Sequence, residues 1–148
     1  MTSGNTVRID FHSSLGMLDF VQMISEYVAR TVGLDDESVH WVTVAVRESV
    51  VNAIKHGNCY DVHKRVHVEF TALEDTGAPG IAILVRDEGC GFDPAMIPDP
   101  LAPENLLRAN GRGIFMMRTF MDEMTFERSE QGGMLVRMVK RVPQSQLA

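Results

Sequence analysis

Glu48-Ser-Val-Val-Asn52-Ala-Ile-Lys-His56-Gly57 closes a long helical pattern, and its reading decides how the rest of the chain is placed. Val42, Val46, Val50 and Ile54 recur every four residues, and Glu48, Asn52 and His56 form a second stripe at the same spacing. Residues four apart share one side of a helix, so one stripe is apolar and the other holds a carboxylate and an amide one turn apart. A helix with two such faces packs one on a sheet and lines a cavity with the other. For an isolated E-x-x-x-N, a solvated polar face is the simpler account. Chemistry can use the pair differently: a carboxylate accepts a hydroxyl proton as the oxygen attacks phosphorus. An amide oxygen can complete the coordination of Mg²⁺, which takes few protein ligands and keeps several waters.

Working outward, Thr6 to Phe11 alternates as a strand, and Ser13 and Ser14 can cap a helix. That helix carries Leu15, Leu18, Val21, Ile24 and Val28 on one side and stops at Gly33. Asp35 and Asp36 precede the long helix, which is expected from Glu37 to about His56 and is ended by Gly57-Asn58. Val66, Val68, Phe70 and Ala72 alternate with polar residues as a half-buried strand. Gly77-Ala-Pro79-Gly80 turns the chain into Ile81 to Arg86, a buried strand that pairs antiparallel with the one before, because the connection is too short for a crossover. Glu88 to Asn110 holds four prolines and little periodicity, the pattern of a functional loop. A short helix is expected from about Arg112 to Met121, then a hairpin of Met124 to Arg128 and Met134 to Arg141 turned at Gln131-Gly132-Gly133. Helices grouped between hairpins predict an α+β two-layer sandwich, and the lack of regular strand–helix alternation disfavours a Rossmann fold.

Two further stretches carry chemistry. Asp87 ends an apolar strand and is followed by Gly89 and Gly91. A turn explains those residue types, and so does a strand-end carboxylate that accepts a hydrogen bond from an exocyclic amine while bare backbone lies near the ligand. Gly111-Arg112-Gly113 opens the apolar run Ile114 to Met117, and two glycines at a helix start suit an anion as well as a simple cap. Arg108 and Arg112 are the candidate phosphate contacts, with surface charge as the alternative. His12, His40, His63 and His67 have no motif context and are accounted for by exposure or strand pairing.

Composition sets limits on function. At 148 residues, with 45% hydrophobic and 23% charged residues, the chain is expected to be one domain with its own core. A formal net charge of -6 argues against a broad nucleic-acid surface. No apolar run spans a bilayer and Met1 to Asp10 lacks a signal peptide's apolar middle, so a cytoplasmic protein is expected. Cys59 and Cys90 form neither a metal spacing nor a disulfide framework.

The three stretches, in this order, resemble the motif boxes of the GHKL ATPases, the superfamily of gyrase, histidine kinases and heat-shock chaperones. Glu48 to Gly57 is similar to the N-box, Asp87-Glu-Gly-Cys-Gly-Phe92 to the G1 box, and Gly111-Arg-Gly-Ile-Phe-Met-Met117 to the G2 box. The Asn-His-Gly ending of the helix segment, Phe-Asp-Pro after the G1 box and Pro-Glu-Asn-Leu-Leu before the G2 box narrow the resemblance. They resemble the anti-sigma-factor serine kinases of bacterial partner-switching systems. The resemblance covers residues 7 to 141 of a single domain. It implies the Bergerat fold: a mostly antiparallel mixed sheet covered on one face by three helices. It implies ATP and Mg²⁺ as cofactors, with Glu48 as the base and Asn52 holding the metal between the phosphates. Asp87 would bind the adenine amine. His56, Gly89, Gly91, Phe92, Gly111, Gly113 and Ile114 would belong to the nucleotide site, and residues 93 to 110 to the ATP lid. Some members place an arginine two residues before the first G2 glycine; Ala109 stands there, and either Arg108 or Arg112 reaches the γ-phosphate.

The resemblance implies a homodimeric kinase acting on a serine of an anti-anti-sigma partner with a STAS domain, and sequestration of a sigma factor. Two other functions fit the motifs. One is an ATP-binding regulatory module with little transfer activity, or a switch kinase with a non-sigma target. The other is the catalytic domain of a histidine kinase or chaperone-type ATPase, disfavoured because the sequence holds no dimerisation helix pair with a phosphoacceptor histidine.

Overall fold

The structure is a computed structural model that describes residues 3–74, 78–89 and 117–143. Five strands form one sheet in the order β1-β2-β3-β5-β4. They are β1 (Ser3–His12), β2 (Arg65–Leu73), β3 (Gly80–Arg86), β4 (Glu123–Arg128) and β5 (Met134–Arg141). Every pairing between them is antiparallel, so the mixed character expected of the sheet is absent among the described residues. The α+β two-layer arrangement itself is as expected, with helices α1 (Leu18–Thr31) and α2 (Asp36–Asn52) laid on one face. Residues 117–120 are helical, and the rest of the short helix expected from Arg112 lies outside the described residues.

Local chemistry places each helix. Ser14 Oγ accepts the Gly16 N–H at 3.2 Å and starts a 3₁₀ turn over Leu15–Met17 that leads into α1. Leu15, expected on the apolar side, lies in that tighter turn and is 45% exposed, because the helical period begins only after it. Ser13 is no cap; its hydroxyl donates to the Lys64 carbonyl at 2.8 Å. Asp35 accepts the Ser38 N–H at 2.8 Å and caps α2, satisfying one of the donors a helix start leaves free.

The apolar stripe of α2 is the centre of the core. Val42, Val46, Val50 and Ile54 are all fully buried. They belong to one cluster with Val66, Val68 and Phe70 of β2, Ile81, Ile83 and Val85 of β3, and Met138 of β5. The alternation read from β2 is realised, and β3 is buried on nearly every residue, as its unbroken apolar run requires. On the opposite face of the sheet, cross-strand ion pairs join Arg8 to Glu69 and Arg65 to Asp10, each at 2.7 Å. A shallow concavity of about 270 Å³ lies there, lined by Arg8, Asp10, His67, Glu69 and Arg86 among others; it includes none of Glu48, Asn52 or Asp87. Among the described residues no helix is long and apolar enough to cross a membrane.

Candidate nucleotide site

The end of α2 is where the structure departs from a simple helix. The α-helix stops at Asn52 instead of continuing to His56, and Ala53–Gly57 form a π-helical turn. The Asn58 N–H closes it on the Ala53 carbonyl at 2.8 Å. Such wide turns inside or after α-helices are rare and concentrate at functional sites. Glu48 and Asn52 keep their one-turn spacing on α2, both partly exposed, and neither makes a hydrogen bond or ion pair among the described residues. His56 leaves the stripe with the π turn and is exposed.

The wide turn brings Gly57 against the end of β3. A side-chain carbon built on Gly57 would run into Asp87 Oδ2, and one built on Gly89 would run into the Gly57 carbonyl oxygen. Gly57 is therefore required by the Asp87 side chain packed against it, and Gly89 by the close approach of the Gly57 backbone. Gly89→Ala is expected to lower stability by about 1–3 kcal/mol, the usual cost of overpacking, and to weaken adenine-nucleotide binding with it. The obstacle is backbone rather than a side chain that can swing away. Thermal melts and nucleotide titration check this; a melting point and affinity equal to wild type would show that the two segments have slack between them.

Asp87 is 4% exposed. Its Oδ1 accepts two backbone N–H groups, from Gly89 at 3.0 Å and from Met134 at 3.1 Å. The second comes from the β4–β5 hairpin. Because β5 lies beside β3 and pairs Leu135 with Arg86, Met134 falls opposite Asp87, and the Asp87 N–H returns a bond to the Met134 carbonyl at 3.1 Å. Gly133, with φ +87, has its Cα against the Asp87 carbonyl, where a side chain would not fit. The hairpin glycines thus serve the site as well as the turn. Oδ2 packs against Gly57 and has no hydrogen-bond donor among the described residues. Burial pushes the Asp87 carboxyl above its ordinary range, against the two N–H groups and the charges of Arg86 and Lys64. A buried carboxylate with one oxygen held by two N–H groups keeps acceptor capacity on the other, which suits recognition of an amine.

Glu88 is anchored beside it. Its Oε2 lies 2.7 Å from His67 Nε2 and its Oε1 accepts the Arg65 N–H at 2.8 Å. The His67 hydrogen bond first, then the Arg65 N–H, hold its carboxyl below its ordinary value of 4.5. A lowered folded-state value means that the stability Glu88 adds is present above that ordinary value and is lost as pH falls through the folded one. Burial gives Asp87 the opposite sign. Glu88→Gln is expected to flatten the loss of stability below about pH 4.5, with a small amplitude because its side chain is 34% exposed. Urea titrations from pH 6 down to about pH 3 check it; an acid limb as steep as wild type would contradict the assignment.

Of the residues expected at the site, Glu48, Asn52, His56, Asp87 and Gly89 are described; Asp87 and Gly89 are in direct contact, and His56 is exposed. Gly91, Phe92, Arg108, Gly111, Arg112, Gly113 and Ile114, with the expected lid over residues 93–110, lie outside the described residues. Asn58, Glu88, Gly133 and Met134 were missed. Asn58 reads as an ordinary helix stop, and only strand order shows that the last hairpin reaches Asp87. A lone amide oxygen at Asn52 suits Mg²⁺ held mainly by phosphates and water, and no group of three or more His, Cys, Asp or Glu competes for a cation among the described residues.

One helix thus carries the carboxylate and the amide, and the turn that follows it meets the buried aspartate at the end of β3. The description "Histidine kinase-like ATPase domain" matches residues 13–140, and the chain belongs to that family. Among curated proteins it is similar to the anti-sigma F factor of Clostridium novyi, 29% identical over 143 residues, which cover 95% of this chain and 96% of that one. It is also similar to the serine-protein kinase RsbW of Oceanobacillus iheyensis, 28% identical over 126 residues covering 81% and 76% of the two chains. RsbW of Staphylococcus aureus is 27% identical over 144 residues, 91% and 86% of each.

Proposed function

We propose that this protein is an ATP-dependent serine kinase and anti-sigma factor, which phosphorylates a serine of a STAS-domain anti-anti-sigma protein and sequesters a sigma factor. The observation that carries this is the similarity, over most of the chain, to relatives named as a serine-protein kinase and as an anti-sigma factor, joined to a site in which the Glu48 and Asn52 side chains have no other partner among the described residues. In this reading Asp87 Oδ2 accepts the adenine amine while Gly57 and Gly89 shape that end of the pocket. Asn52 offers its amide oxygen to Mg²⁺, which neutralises phosphate charge when bound. Glu48 accepts the proton of the attacking serine hydroxyl. Its Cβ lies about 5–6 Å from that of Asn52, as positions four apart on a helix do, so base and metal ligand serve one reacting group. Gly91, Phe92, Gly111, Gly113 and Ile114 complete the nucleotide site, with Arg108 or Arg112 on the γ-phosphate. The protein acts in the cytoplasm as a homodimer.

The test is incubation with γ-labelled ATP, Mg²⁺ and the anti-anti-sigma-like protein encoded beside this one. Label on a serine of that protein is the expected outcome. ATP bound with no label on any acceptor would instead favour a regulatory binder.

A further inference from the structure

We propose that Asn58 is a positioning residue that sets the Glu48–Asn52 helix in register with Asp87, and so governs nucleotide affinity; this rests on the reading of the Asp87 pocket as the adenine site. Asn58 is fully buried, and both polar atoms of its carboxamide are hydrogen-bonded. Its Oδ1 accepts the Glu88 N–H at 2.8 Å. Its Nδ2 donates to the Arg65 carbonyl at 3.0 Å and to Ser13 Oγ at 3.0 Å. The orientation of the amide is fixed by its neighbours, since the Glu88 N–H can only donate and the Arg65 carbonyl can only accept.

What Asn58 joins is as important as how tightly. Its own backbone N–H closes the π turn that ends α2, so the residue is rigidly part of the segment carrying Glu48 and Asn52. Its side chain grips Glu88, the residue between Asp87 and Gly89. A second bond, from the Arg65 N–H to Glu88 Oε1, ties the same corner to the start of β2. Directly after Asn58, Cys59 and Tyr60 adopt φ values of 51 and 60. These are the only positive-φ non-glycine residues described, and such backbone persists where surrounding contacts over-determine it. The Gly57 and Gly89 backbones are in close contact, which permits the two segments to meet here but carries no polar link of its own among the described residues. The Asn58 amide is the polar link that selects this register.

Asn58→Ala removes the link and leaves the Glu88 N–H and Arg65 carbonyl unpaired. It is expected to raise the ATP KM and weaken ADP binding by about tenfold, the scale of one lost buried hydrogen bond, with kcat at saturating ATP unchanged. Ser13→Ala serves as the control: it removes one partner of Nδ2 but keeps the links to Glu88 and Arg65, so ADP affinity should stay within about twofold of wild type. A fall in kcat at unchanged KM, or equal losses of ADP affinity in both variants, would overturn the proposal. If Asn58→Ala does not fold, hydrogen exchange on the wild-type protein decides. ADP should raise protection of the Glu88 amide along with those of Gly89 and Met134, and protection of the latter two alone would overturn the proposal. Asp87→Asn separates the two levels. Unchanged ADP affinity there removes the nucleotide reading and this proposal together. Loss of ADP there with retention in Asn58→Ala removes this proposal only.

Discussion

Asp87→Asn is expected to abolish adenine-nucleotide binding while leaving the unliganded protein at least as stable as wild type. The two halves follow from different atoms of one side chain. Asn keeps an oxygen where Oδ1 accepts the Gly89 and Met134 N–H groups, so the strand end and hairpin stay tied. It replaces Oδ2, the oxygen without a donor among the described residues, by an NH₂ group, which cannot accept a hydrogen bond from an exocyclic amine. Loss of a bond to a charged acceptor, with two donors left facing each other, amounts to about 3–4 kcal/mol, or roughly a hundredfold to a thousandfold in affinity. Stability has the reverse sign. Burial raises the Asp87 carboxyl above its ordinary value, so ionising it near neutral pH opposes folding, and its contribution falls as pH rises through the folded value. The amide removes that opposition. Unfolding is readily followed, because the single tryptophan, Trp41, stacks on Phe120 with ring centroids 3.8 Å apart. Isothermal titration with ADP supplies the other half. A variant that binds ADP within about threefold of wild type, a difference under 1 kcal/mol, would remove Asp87 from adenine recognition. A variant that binds nothing but has also unfolded would show that the carboxylate is chiefly structural.

The contrast between Asp87 and Asn58 shows what was legible before the fold was known. Val42, Val46, Val50 and Ile54 announce a buried helical face because helix period is local, and all four are fully buried. The strands around Val68 and Ile83 are legible for the same reason, since alternation or an unbroken apolar run reports burial directly. Asp87 and Gly89 stand out by residue type. Their partners do not. That Met134 holds Asp87 depends on β5 sitting between β3 and β4, an order no local pattern encodes. The π turn is invisible for a related reason: it widens the end of α2 only where Gly57 meets Asp87 and Gly89, a contact between segments far apart in sequence. Asn58 therefore reads as a common helix stop, and His67 as strand filler, until Glu88 is seen to bond both. Helix 1 shows the smaller error of extending a period one turn too early, into the 3₁₀ turn at Leu15.

Glu48→Gln should separate chemistry from binding. The substitution preserves shape and hydrogen-bonding reach on the partly exposed side of α2 and removes only the ability to accept a proton. Glu48 has no ion pair or hydrogen bond among the described residues, so the fold loses nothing through it. The neighbouring Ser49 is buried with its hydroxyl near Met117 and Met138 sulfurs, which keeps this part of α2 seated on the core whatever stands at position 48. ATP and ADP affinity should stay within about threefold of wild type, because the proposed adenine contact at Asp87 and the proposed metal ligand at Asn52 are untouched. Transfer to the acceptor serine should fall by about 10²–10⁴-fold, the range that a positioned general base contributes. Glu48→Ala should lose as much. The informative comparison is with Asn52→Ala, which in the same assay should weaken Mg²⁺-dependent ATP binding itself. If Glu48→Gln transfers at the wild-type rate, proton removal lies elsewhere or follows bond formation, and the helix contributes only a ligand for the metal. If it binds ATP poorly, Glu48 belongs to the binding machinery with Asn52, and the division of labour along one turn of α2 does not hold.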